Sequence, residues 1–125
     1  MDPRDGDGHR RHPSWVYDAG DEPDPRYTLA NERTFLAWVR TCLGVLAGAV
    51  ALESLQVPEQ DGLRLVLVVA LLLFGGLTAT LAWVRWARVE RAMRTRSPLP
   101  AFSLGLVMTV ALVVLSLLLA VTVAL

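Results

Sequence analysis

Residues 26–55 read RYTLANERTFLAWVRTCLGVLAGAVALESL. A charged helical approach runs straight into an apolar segment that ends at Leu55. Two more apolar runs follow, so the spans are expected at about 34–55, 63–84 and 101–125. Each is near or above the roughly 20 residues an α-helix needs to cross about 30 Å of hydrocarbon. A soluble three-helix bundle would show a polar face on every helix. Residues 66–76 and 104–119 have no such face. The reading is therefore all-α, an integral membrane protein with three transmembrane helices assembled as a homo-oligomeric bundle. With 125 residues, 54% of them hydrophobic, and a mean hydropathy of +0.44, there is room for one small domain. It covers 26–125, after a disordered or interfacial cytoplasmic tail over 1–25.

The zero net charge hides an asymmetry. All twelve basic residues are arginine. The segment between the second and third spans holds Arg85, Arg88, Arg91, Arg94 and Arg96 against Glu90 alone. The segment between the first and second spans holds Glu53, Glu59 and Asp61 against Arg64. The positive-inside bias makes the arginine-rich segment cytoplasmic. A plasma-membrane protein with the N-terminus inside and the C-terminus outside follows.

No cleavable signal peptide is expected, because a polar stretch leads the first apolar run. Residues 1–13 mix both charges with Gly and Pro, a composition expected to form a mobile tail. Trp15, Val16 and Tyr17 interrupt that polarity and suggest a patch resting on the inner membrane surface. Pro23 and Pro25 should stop the first helix from extending backward, with Thr28 or Asn31 as its N-cap. The second helix should run past the bilayer to about Arg94, with Glu90 and Arg94 spaced to pair, and stop before Pro98 and Pro100.

Arg26, Arg33 and Arg40 recur at intervals of seven. Seven residues of helix turn through roughly 700°, so these side chains form one stripe, about 10.5 Å apart. Such charges at the edge of a membrane span are costly unless they meet water, an anion or a carboxylate. Three readings stay open. Arg40 snorkels to the headgroups, or Glu32 pairs with an arginine of the second helix or of a neighbouring chain. In the third, symmetric copies point Arg26, Arg33 and Arg40 at a shared axis as basic rings for phosphate-like anions.

Small residues form stripes suited to close helix approach: Gly44, Ala47, Gly48, Ala51 and Ser54 on the first span, and Gly75, Gly76, Thr78, Ala79 and Thr80 on the second. The third carries Gly105, Thr109, Ser116 and Ala120. No nucleophile–base pair, metal-ligand cluster or Gly-rich phosphate loop stands out, so no catalysis, cofactor, metal or nucleic-acid partner is expected. His9 and His12 lack further ligands at useful spacing. Lone Cys42, inside the first span, is read as a small packing residue.

The string Ala30-Asn31-Glu32-Arg33-Thr34-Phe35-Leu36-Ala37-Trp38, with EPDPRYTL upstream, resembles the YidH-like family of small three-span bacterial membrane proteins of unknown function. It is also similar to the transmembrane region of vacuolar transporter chaperone subunits. The resemblance runs from about residue 15 to 96. The chaperone likeness implies assembly around an axis, possible as a pentamer, with polyphosphate passing through a basic pore. By position, Arg26 and Arg33 match basic residues at that pore's mouth and Glu32 the acid beside them. Arg40 has no clear counterpart, and the polymerase domain of the chaperones is missing. The expected function is thus an anion or polyphosphate-handling pore among membrane lipids, or else a non-conducting subunit that scaffolds a partner.

Overall fold

A computed structural model describes residues 11–101 and 103–125; the tail expectation for residues 1–10 lies outside them. The described residues form four helices: α1 Ser14–Tyr17, α2 Pro25–Leu55, α3 Asp61–Thr95 and α4 Ser103–Ala124. The last three are long and apolar enough to cross a membrane. All three spans predicted from hydropathy are thus helical. α2 and α3 outrun them, because polar turns extend each helix where no hydrocarbon is required.

The start of α2 corrects the sequence reading. Thr28 and Asn31 are internal to the helix, and the cap is Asp24, whose Oδ1 accepts the Arg26 N–H at 2.9 Å. Pro25 occupies the first helical position, where its missing N–H costs nothing and its φ is already helical. Both long helices end alike. Gln56 and Arg96 have positive φ, 52° and 54°. The next residue then bonds back into the helix, Val57 N–H to Leu52 O at 3.0 Å and Ser97 N–H to Ala92 O at 2.9 Å. This is the six-to-one closure that satisfies the last carbonyls of a helix.

The chain divides into two compact units. One comprises Leu36–Ala82 and Ala101–Leu125. Small residues pack on α3 and α4 at Gly75, Thr78 and Gly105, whereas the stripe Gly44, Ala47, Gly48, Ala51 and Ser54 of α2 is exposed. A Cβ added at Gly75 would stand 3.0 Å from Leu46 Cδ2. Thr78 donates to Met108 Sδ at 3.5 Å, and Leu104, Gly105 and Met108 are the buried part of α4. Ser116 and Ala120 are exposed instead, so the small side of α4 packs only at its start. Leu43, Val50, Leu73, Leu106 and Leu117 are all exposed. An apolar surface this continuous suits lipid as solvent and not water.

The turn between α2 and α3 is pinned rather than merely solvated. Arg64, 9% exposed, places Nε 3.4 Å from Glu53 and NH2 2.5 Å from Asp61, and donates to Pro58 O at 3.1 Å. Glu53 and Asp61 stay exposed, as expected of a solvated loop.

Candidate functional site

The other unit, Met1–Phe35 with Trp83–Pro100, is built around a buried carboxylate. Glu90 on α3 is 0% exposed. Thr28 donates its hydroxyl to Oε1 at 3.0 Å, and the Asn31 amide reaches Oε2 at 3.5 Å and Trp86 O at 3.1 Å. Arg94 Nε stands 3.6 Å from Glu90 Oε1, so the expected Glu90–Arg94 pair forms. Phe35 and Tyr17 both lie 6.4 Å from the Trp86 ring, tilted against it. A charge so enclosed needs its partners. Taking one away leaves the other ion buried and uncompensated.

Residues 11–24 lie along the same end of α3 as a strap. Val16 is fully buried, and the Tyr17 ring has Arg11 and Arg94 guanidinium carbons each 4.8 Å from its centroid. Arg94 also donates to Tyr17 O and Glu22 Oε1, both at 3.3 Å. Arg91 donates to Trp15 O at 2.7 Å, with its guanidinium 5.5 Å from the Trp15 ring centre. Gly20, at φ 54°, lies so close that a Cβ would meet the Arg94 carbonyl oxygen at 2.0 Å. The Asp21 N–H bonds that same oxygen at 3.1 Å. Arg11 pairs with Glu22 and holds its carboxyl below the usual range; partial burial opposes this, and the charge of Arg94 adds to it.

Val16 and Tyr17 of the patch read as interfacial pack on the protein itself. Cation–π contact with Arg91 and Arg94, about one turn apart on α3, holds Trp15 and Tyr17 in place. Trp15 alone stays largely open, at 43%. The basic segment is helical up to Thr95, as expected of a second helix that runs past the bilayer to about Arg94. Arg94 is buried, Arg91 is engaged with the strap and Arg85 is half-buried, leaving Arg88 and Arg96 exposed.

The signature string splits across α2. Asn31 is buried and Phe35 and Trp38 half-buried, whereas Ala30, Glu32, Arg33, Thr34 and Leu36 are exposed. Covered positions along α2 include a row spaced by three and four, Thr28, Asn31, Phe35, Trp38, Cys42, Val45, Ala49 and Leu52, with Val39 and Leu46 half-buried beside it. At 100° per residue, Arg33 lies about 160° from Asn31 on one side and from Phe35 on the other. Arg40 bears the same relation to Trp38 and Cys42. The arginine stripe therefore lies opposite the Asn31–Phe35–Trp38–Cys42 row of α2. Arg26 pairs with Asp24 at 3.2 Å while remaining 89% exposed. Among the described residues, Glu32, Arg33 and Arg40 are exposed and form no ion pair, so Glu32 does not meet an arginine of α3.

Sequence reasoning missed the Thr28–Asn31–Glu90 cluster and the strap. The one available signal was a lone acid, Glu90, in a strongly basic helix end with two polar residues at helical spacing on α2.

These features define a three-span helical membrane protein with a polar, strapped end and an uncovered arginine face. Residues 26–92 match the family described as a domain of unknown function (DUF202), and the chain belongs to that family. It is 57% identical over 81 residues to Uncharacterized protein Rv2272 of Mycobacterium tuberculosis, covering 63% of this chain and 66% of that one, just under two thirds of the relative. It is 43% identical over 99 residues to Inner membrane protein YidH of Escherichia coli, covering 78% of this chain and 85% of that one. No solved structure matches the chain. The family match contains Thr28, Asn31, Glu32, Arg33, Arg40 and Glu90, and ends before Arg94 and α4.

Proposed function

We propose that the protein is a non-catalytic, multi-pass plasma-membrane protein that forms homo-oligomers and admits phosphate-like anions at a cytoplasmic vestibule. Arg33 supplies the charge, Glu32 and Arg26 flank it, and the N-terminus faces the cytoplasm while the C-terminus faces out. The observation that carries this reading is the orientation of the stripe. Arg33 is exposed on a face of α2 that intrachain packing leaves open. Beside it Ala30, Ala37, Gly44 and Ala51 are small and exposed, so copies can approach closely there. Polyphosphate is the guest implied by the chaperone resemblance. Several copies are required, because one chain supplies one arginine per level.

Purified protein in liposomes is expected to pass inorganic phosphate or short polyphosphate, and Arg33→Glu to abolish that flux or invert its selectivity. Vesicles that stay tight to every anion tried would sink the proposal. A second reading, a non-conducting scaffold for a partner, is favoured by Leu36, Leu43 and Val50, which are 59–62% exposed along a neighbouring row. Cross-linking in native membranes would then trap a distinct protein against that row. A reporter fused after Leu125 tests the topology.

A further inference from the structure

The exposed positions of α2 are sorted by size. Between Leu36 and Ala51 the large aliphatics among them are Leu36, Leu43 and Val50, which recur every seven residues. Every other exposed position there is Arg40 or a small residue, and Ala37, Gly44 and Ala51 recur every seven as well. Leu29 and Ala30, both exposed, extend the two rows by one repeat. α4 shows what lipid alone asks for. Leu106, Val107, Leu112, Val113 and Leu118 are exposed around it in several directions, without sorting.

The two rows lie on opposite sides of the arginines. Each leucine-row residue stands three places after a member of the arginine row, about 60° to one side; each small-row residue stands four places after, about 40° to the other. On the small side a recess is already present. An apolar groove of about 480 Å³ opens between Thr41, Gly44, Gly48 and Ala51 of α2 and Leu71 and Leu115 of α3 and α4. A Cβ placed at Gly44 or Gly48 would meet nothing within 4 Å. On the leucine side stands Glu32, one place before Arg33, exposed and without an ion pair among the described residues.

We infer that a second copy covers this face head to tail. Leu36, Leu43 and Val50 of one chain seat against Ala37, Gly44 and Ala51 of the next, and Glu32 of the first pairs with Arg33 of the next. Knobs on one side and holes on the other, at one seven-residue repeat, fit a parallel copy of the same helix in constant register. Charge is complementary as well, since the carboxylate lies on the knob side and meets the neighbour's unpaired guanidinium. The two sides differ, so the contact is not a two-fold one that pairs a surface with itself. All copies cross the membrane in one orientation, and the step from chain to chain is a rotation about the membrane normal that closes as a ring. The arginine row, between the two contact sides, faces the inside of that ring. The contact rests on the homo-oligomer proposed above and names the two faces that meet in it.

The test is directed cross-linking of the full chain in membranes. Two differently tagged forms, both Cys42→Ala, carry Leu36→Cys and Ala37→Cys respectively and are co-expressed and oxidised. Mixed disulfide dimers are expected, with little pairing within either form expressed alone, because a disulfide needs Cβ atoms about 4 Å apart. Leu43→Cys with Gly44→Cys should repeat the pattern. Glu32→Arg should lower the mixed yield, and Glu32→Arg combined with Arg33→Glu should restore it, a rescue that misfolding would not give. Leu36→Cys chains that link to one another as well as to Ala37→Cys chains would overturn the inference by marking a face-to-face pair. So would capture of a distinct protein at Leu36→Cys, or no cross-link at all. Vesicles tight to anions with the mixed cross-link intact would remove the vestibule alone; anion flux without that cross-link would remove this contact alone.

Discussion

The arginines of α2 and those of α3 look alike in sequence and have opposite fates. On α3, Arg94 is buried against Glu90, Glu22 and Tyr17, and Arg91 is fastened to Trp15. On α2, Arg33 and Arg40 point away from the chain's own seam and form no ion pair among the described residues. The contrast assigns work to each set. A guanidinium whose charge is answered inside the chain is part of the architecture. One left open faces lipid, anion or another molecule.

The contrast breaks most sharply at Glu90. Glu90→Ala should destabilise the protein by about 3–5 kcal/mol, because Arg94 would remain buried with its one buried counter-ion gone. Arg33→Gln should stay within about 0.5 kcal/mol of wild type. Chemical unfolding in a fixed detergent compares the two, and equal losses would end the division of labour. A smaller, local effect is expected at Gly20. A side chain there pays the left-handed backbone penalty of about 1–2 kcal/mol and strikes a carbonyl that the helix holds in place. Gly20→Ala should therefore release the strap, read as roughly tenfold faster amide exchange at Val16 and Asp21, while α2 to α4 keep their protection.

The smallest effect is the pH response of the same strap. Arg11 chiefly, and Arg94 with it, depress the Glu22 carboxyl in the folded chain. Its contribution is complete above the ordinary carboxylate range and is lost as pH falls through the depressed value. Exchange of strap amides should quicken only in acid, and Glu22→Gln should remove that dependence. A response centred near neutrality would point to another group.

Much of this protein is legible without coordinates. Runs of apolar residues long enough to span hydrocarbon dictate three helices, because backbone polar groups in lipid have no partners except their own. The string beside the first span already resembles the family, and the family match extends over residues 26–92. The periodic stripe of Arg26, Arg33 and Arg40 also follows from spacing alone, since helical geometry ties spacing to direction. What periodicity cannot give is which face of α2 is covered, because that depends on residues far along the chain. Thr28 meets Glu90 across 62 positions and Arg94 meets Tyr17 across 77. Asn31 illustrates the limit: it is a fair helix cap by local rules, yet Asp24 and Pro25 take that role and leave it to reach Trp86 and Glu90. Local chemistry thus determined the helices and their charges. Tertiary packing alone decided which charges are consumed within the fold and which are left facing out.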